Sequence, residues 1–326
     1  MPNAAIQSIA MSVAERVMTN EEFEKIVETS DEWIQTRTGI KERRVAEPGQ
    51  SSSYFGAIAA ADALKRAGVN PEDVDMVICA TVTGDHLFPG TACLIQERIG
   101  AKNAGAFDVG AACAGFIYAA EVASSMIRNG TIRNAVVVGV DTLTHFVDWS
   151  DRSTCVLFGD GGGAAYMEAT EEDRGIVATV MLSDGSGAKH IKIEKGGSLY
   201  PPSRPQSEGK CSTLYMAGKE VFRFAVRAMA DSCHKVLEKA GLTADDVTLF
   251  CPHQANLRII TAAAEHLGLP MERVFVNVQK YGNMGAGSIP VALYEAEAEG
   301  ALKKGDLVMT VGFGAGLVWG ANLIRW

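Results

Sequence analysis

Three residues, Cys113, His253 and Asn283, have the types that acyl-transfer chemistry uses, and each stands where a turn follows an apolar run. Cys113 lies in AFDVGAACAGF (106–116), a single thiol among small residues. From there Phe116, Ile117, Ala120, Ala123 and Ile127 recur at helical spacing, and Asn129-Gly130 closes the run. The thiol is therefore expected on a strand-to-helix turn, where first-turn N–H groups and the helix dipole favour an anion and make it ready to ionise. His253 follows the apolar run VTLFCP, at a strand end of the kind where α/β sheets collect ligands. The other histidines, at 86, 145, 190, 234 and 266, have no such context. Asn283 sits in YGNMGAGS. A Cys-His-Asn set serves a papain-like protease as well as a transferase, and the interval from Cys113 to His253 fits the protease spacing. Against the protease, C-G-S-C-W is absent and the chain is organised as a repeat of a kind foreign to that fold.

The elements that must position these residues occur twice. LKRAGVNPEDVDMVIC, from Leu64, matches LEKAGLTADDVTLFCP, from Leu237, with Ala67 and Ala240 in register. Gly139 in RNAVVVGVDT and Gly312 in GDLVMTVGFGAG stand at the same offset as that alanine pair, while Gly100/Gly268 and Phe107/Phe275 share a slightly shorter one. Three ordered matches at nearly one spacing argue for duplication. Each half reads as helix, turn, apolar strand, then helix and strand again, which predicts α/β units with buried sheets. On that reading the Cys113 turn overlies YGNMGAG, and two equivalent turns converge on one site. The boundary is expected near EATEEDRG (168–175), where polarity rises, giving halves 1–172 and 173–326. Beyond it, SDGSGAKHIKIEKGGSLYPPSRPQSEGKCST reads as a long loop of the sort that covers a binding site.

Composition excludes several classes. The 326 residues are 47% hydrophobic with 34 glycines, a globular rather than disordered balance. Seven cysteines without a C-x-x-C pair suggest neither a disulfide framework nor a zinc site, so a reducing cytoplasm is expected, with no metal. No apolar run reaches membrane-spanning length, and the N-terminal residues lack the pattern of an export signal. A net charge of −9 argues against nucleic acid as a partner.

TSDEWIQTRTGI (29–40), DVGAACAGF (108–116), DWSDRSTCVLFGDGGGA (148–164), PHQANLRII (252–260), YGNMGAGS (281–288) and GFGAGLVWGA (312–321) together resemble the β-ketoacyl-[acyl-carrier-protein] synthase III family, in order and over nearly the whole chain. The resemblance implies the thiolase fold, an α/β architecture with a duplicated α/β unit in five layers αβαβα, and a homodimer. It implies condensation of an acyl-CoA, usually acetyl-CoA, with malonyl-[acyl-carrier protein], needing no cofactor beyond the acyl-CoA substrate. Cys113 would carry the acyl group, and His253 and Asn283 would donate to the malonyl thioester oxygen. The N–H groups of Cys113 and Ala315, the latter in the Gly314–Gly316 turn, would form the oxyanion hole.

By the same resemblance Trp33 and Arg152 would sandwich the CoA adenine, Arg37 would hold phosphate and Asn256 would bind the pantetheine arm. The acidic acyl carrier protein would dock on Gln254, Ala255, Asn256, Leu257 and Arg258, beside Lys219 and Arg223. Lys219, Arg223 and Arg227 recur at every fourth position, a basic stripe on a helix whose other face carries Phe222, Val226 and Met229. Phe88 would cross the dimer interface and close the partner's acyl pocket. The chain departs from the family pattern at Ser8, Ala10 and Ala14, so the first strand is expected to turn differently. It departs again at Met284 and Gly285, beneath Asn283, and at Glu265 and His266, where relatives carry lysines. Two other functions fit the sequence: a specialised synthase using another primer or a CoA-bound extender, and an acyl-CoA-binding protein without turnover.

Overall fold

The structure is a computed structural model that describes residues 2–201, 203 and 212–326. Cys211 and most of PPSRPQSEGKC, the centre of the expected covering loop, lie outside the described residues. The principal strands are β1 (Asn3–Val13), β2 (Met76–Ala80), β3 (Gly105–Val109), β4 (Asn134–Thr142), β5 (Asp160–Thr170), β6 (Gly175–Ser183), β7 (Leu249–Pro252), β8 (Leu307–Gly314) and β9 (Val318–Arg325). The principal helices are α1 (Asp31–Thr38), α2 (Ser52–Ala67), α3 (Thr91–Ile99), α4 (Gly115–Arg128), α5 (Gly218–Ala240), α6 (Leu257–Leu267) and α7 (Ser288–Ala298).

The strands form two sheets of one design. The first runs β1-β5-β4-β2-β3 and the second β6-β9-β8-β7. In each, the strands pair antiparallel at one end, β1-β5-β4 and β6-β9-β8, and parallel at the other, β4-β2-β3 and β8-β7. The register repeats as well: Val77 faces Val136 across β2 and β4, and Phe250 faces Met309 across β7 and β8, each partner displaced by the offset that relates Ala67 to Ala240. The counterpart of β3 has shrunk to one bridge, Phe250 to Val274. Helices α2 and α5 both end on a glycine in the left-handed conformation, Gly68 at φ 69° and Gly241 at φ 67°, which explains the matching LKRAG and LEKAG.

Helices α4 and α7 lie between the sheets, with α2 and α3 outside the first and α5 and α6 outside the second, giving αβαβα. Burial on both faces is why β4 reads NAVVVGVDT and is buried along its whole length. Close approach in the middle layer demands small residues: a Cβ on Gly115 would lie 2.8 Å from Ala80 Cβ. Phe116, Ile117, Ile289 and Leu293 fill the space between the sheets together with Ile9 and Ile78. Strand β1 runs through the departures at Ser8 and Ala10 with one register shift, between Ile6 and Ser8. Ser8 Oγ donates to Ala63 O at 2.7 Å, which ties the strand to α2. Of the expected covering loop, a turn at Gly185–His190 leads to a two-residue strand, Ile191–Lys192, paired with Tyr215–Met216.

Candidate functional site

Cys113 occupies a single 3-10 turn, Ala112–Ala114, between β3 and α4, and its equivalent in the second half is the turn Gly285–Gly287 before α7. The two turns pack on each other, as the repeat predicts. Ala112, just before the thiol, has φ 43°, a left-handed conformation that costs a non-glycine residue about 1–2 kcal/mol. It holds the Cys113 backbone against β8 so closely that a Cβ on Gly314 would stand 2.6 Å from Cys113 N. The Cys113 amide therefore comes up against the Gly314–Gly316 turn, and Ala315 faces the same space.

That space is a cavity of about 550 Å³. Cys113, His253 and Asn283 all line it, among Val82, Leu143, Val156, Phe158, Leu214 and Phe313. Ile191 and Met216, on the short strand pair of the covering segment, line it too. The apolar walls set the electrostatics. Burial pushes the Cys113 thiol up to about 12, and the carboxylate of Asp141 adds to the rise, while a backbone hydrogen bond opposes it. The expectation of a readily ionised thiol is thereby corrected: desolvation outweighs the helix N-terminus. Alkylation of Cys113 by iodoacetamide is accordingly expected to accelerate about tenfold per pH unit from 7 to 10 without a plateau. Peptide mass spectrometry reads this residue apart from exposed Cys93, and a plateau near pH 8 would show the thiol is not raised.

His253 begins where β7 ends, with its N–H on Val311 O at 2.7 Å and its ring edge-on to Phe313 at 5.8 Å. It is 1% exposed, and neither ring nitrogen has a hydrogen-bond partner. Burial lowers its pKa to about 3, so the imidazole is neutral and has one N–H to donate. Asn283 is held by its backbone, which bridges to Phe158, and by its side-chain Oδ1, which accepts from Gly285 N at 2.9 Å. This leaves the amide Nδ2 as the donor available to a ligand.

The cavity's mouth is basic although the chain is acidic. Arg37, Arg152, Lys219, Arg223 and Arg258 line it, and among the described residues none of them pairs with a carboxylate. The Arg37 and Arg152 guanidinium carbons lie 4.8 and 5.2 Å from the centroid of the Trp33 ring. Arg152 also donates to Glu28 O at 2.6 Å. Helix α5 buries Val221, Ala225 and Met229 and exposes Lys219, Arg223 and Arg227, with Arg258 over Phe222 at 5.3 Å.

The expected carrier-docking set divides. Gln254 is 1% exposed; its amide donates to Pro252 O and Phe275 O and accepts from Asn277 N and Val278 N, so it braces the loop and cannot meet a partner. Ala255 is buried on the cavity wall, and Leu257 packs against the end of α1 near Gly39. Asn256 lines the cavity but caps α6, accepting from Arg258 N and donating to Arg37 O, which leaves one amide N–H for a ligand. Phe88, 86% exposed, is away from its own chain's cavity. Sequence reasoning missed Asp141, buried beneath the site, although an aspartate closing the run VVVGVDT was a visible signal.

Twin halves meeting at a cavity that holds a thiol are the architecture of thiolase-type condensing enzymes. The 3-oxoacyl-[acyl-carrier-protein (ACP)] synthase III pattern matches residues 107–185, and its C-terminal counterpart matches residues 237–326. A β-ketoacyl-[acyl-carrier-protein] synthase III of Roseiflexus sp. (strain RS-1) is 50% identical, over 99% of this chain and 98% of its own. The crystal structure of the 3-oxoacyl-[acyl-carrier-protein] synthase III from Aquifex aeolicus VF5 superposes with a TM-score of 0.92 at 47% identity, covering 99% of this chain and all of that one. The priming β-ketosynthase of the R1128 polyketide pathway gives 0.92 at 35% identity, covering 99% and 96%. The chain belongs to the β-ketoacyl-[acyl-carrier-protein] synthase III family, and is thus a condensing enzyme of the step that initiates fatty acid synthesis.

Proposed function

We propose that Cys113 takes an acetyl group from acetyl-CoA and that the enzyme condenses it with malonyl-[acyl-carrier protein], releasing carbon dioxide and CoA. The observation that carries this reading is His253: a neutral, unpartnered imidazole facing an apolar cavity that it shares with a thiol and an asparagine amide. The thiol sulfur attacks the thioester while its proton passes to the departing CoA sulfur. The N–H groups of Cys113 and Ala315 receive the oxyanion. In the second half-reaction the malonyl carboxylate leaves as carbon dioxide, and its bonding pair forms an enolate whose oxygen accepts from His253 and Asn283 Nδ2. The enolate carbon attacks the acyl-cysteine and releases the thiolate, which takes up a proton. Loss of carbon dioxide supplies the carbanion, so this course uses no strong base and no cofactor beyond the CoA substrate.

The mouth suits CoA. Trp33 and Arg152 contact each other, guanidinium carbon to ring centroid, at 5.2 Å, so Arg152 would swing out to sandwich an adenine against the indole, with phosphates on Arg37 and the pantetheine arm on Asn256. Lys219, Arg223 and Arg258 are the exposed cations for an acidic carrier protein. We take residues 1–172 and 173–326 as the two halves, and two copies as the working unit in the cytoplasm. Strand β3 is an edge strand, and Leu87 and Phe88, 79% and 86% exposed, present apolar surface that a second copy would cover. No described helix is long and apolar enough to cross a membrane.

The similarity to a polyketide priming enzyme supports a second reading, a specialised synthase. A panel of acyl-CoA primers against malonyl-carrier protein and malonyl-CoA tests both. Acetyl-CoA with malonyl-carrier protein is expected to lead decanoyl-CoA by about tenfold or more. Faster turnover of decanoyl-CoA, or turnover with malonyl-CoA alone, would replace this reading with the second.

A further inference from the structure

We infer that Asp141 is a positioning residue for the condensation, holding the turn that orients Asn283 and the loop that walls the cavity beside it; this rests on the role proposed above for Asn283. Asp141 is near the end of β4 and is fully buried. Its Oδ1 accepts from Thr81 Oγ1 at 3.0 Å, Val82 N at 2.9 Å, Thr83 N at 3.2 Å and Thr83 Oγ1 at 2.8 Å. Its Oδ2 accepts from Ala286 N at 2.8 Å. No cation is among these partners. Three of the five are backbone amides that can only donate, and these hydrogen bonds favour the carboxylate against the upward pull of burial on its pKa.

The chain of contacts from this carboxylate to the site is short. Successive amides of one turn are divided between the two residues: Gly285 N donates to Asn283 Oδ1, and Ala286 N donates to Asp141 Oδ2. The carboxylate can come this close only because residue 285 is small: Gly285 has φ 55°, and a Cβ there would collide with Asp141 Oδ2. Gly285, a departure from the family pattern, is thus the residue that lets this aspartate reach the turn. On its other side the carboxylate fixes Val82, which lines the cavity. One buried anion therefore ties a cavity wall to the Asn283 turn. It also lies close enough to raise the Cys113 thiol, so its geometric and electrostatic effects have opposite signs for catalysis.

That opposition makes the test specific. Asp141→Asn keeps the shape and removes the charge, and an amide nitrogen set against Ala286 N–H or the four donors to Oδ1 cannot accept. Malonyl-carrier protein decarboxylation is expected to fall roughly 10–100-fold, the effect of losing hydrogen bonds to a charged group. Alkylation of Cys113 at fixed pH should meanwhile become faster, as His253 is neutral and Asp141 supplies the negative charge beside the thiol. Buried Cys233 and Cys251 are the controls for loosening and should stay unreactive. Wild-type decarboxylation at an undiminished rate in Asp141→Asn would overturn the inference, as would a loss accompanied by alkylation of Cys233 and Cys251. If Asp141→Asn does not fold, Thr83→Val, which removes one donor, decides the matter: a smaller fall in decarboxylation supports the inference and none overturns it. Absence of decarboxylation in the wild type itself would instead count against the proposed function.

Discussion

Cys113→Ser is expected to abolish transfer of the acyl group to the protein, with a loss of at least about 10⁴-fold in condensation, the scale seen when a covalent nucleophile is removed. The geometry is already unfavourable to ionisation, since the thiol stands at about 12 in its apolar surroundings. An alcohol at the same place ionises far less readily and is the weaker nucleophile towards a thioester. Wild-type protein mixed with labelled acetyl-CoA should gain one acetyl group, located on the Cys113 peptide, and the serine variant none. Malonyl-carrier protein decarboxylation that survives in the variant should yield acetyl-carrier protein rather than a ketoacyl product. Label on exposed Cys93 in place of Cys113, or acylation of the serine variant at a rate near the wild type, would end the assignment.

The parts of this site that sequence made legible are those whose cause is local. A cysteine before an apolar helix, a histidine after an apolar strand and glycines at helix ends are fixed by neighbours within one or two helical turns. The repeat then carried long-range information, because elements matched at one constant offset occupy matched places in two sheets. What failed depended on groups far apart in the chain. The ionisation of Cys113 is set by burial and by Asp141 on another strand, and neither is visible in a helix pattern. Gln254 sits inside a motif that reads as a docking surface, but Phe275, Asn277 and Val278 draw its amide inward. Arg43, to which the motifs assign no role, is drawn inward in the same way: it is fully buried, donates to Met18 O and Val156 O and stands over Phe23. Motif resemblance identifies which residues meet; it does not say which of them face a ligand.

His253→Ala and Asn283→Ala should each leave Cys113 open to acetylation while lowering decarboxylation of malonyl-carrier protein by about 10²–10³-fold, the cost of one oxyanion donor. The double variant should lose less than the product of the two, because both donors serve one oxygen. The pH dependence follows from burial. A histidine whose pKa is lowered to about 3 is neutral from pH 5 upward, so decarboxylation should show no acid limb near 6.5 from this residue. Stability has the opposite sensitivity. The unfolded chain binds a proton at an ordinary histidine pKa and the folded one does not, so this group makes the fold less stable as pH falls from about 6.5 towards 3. His253→Ala should therefore flatten that part of the stability profile while reducing turnover at every pH. Labelled acetyl trapping and carbon dioxide release, measured for each variant, separate the half-reactions. Should the alanine variants decarboxylate normally and fail to take up acetyl, His253 would act on the thiol instead of the enolate, and the protease-like view of the Cys-His pair would return.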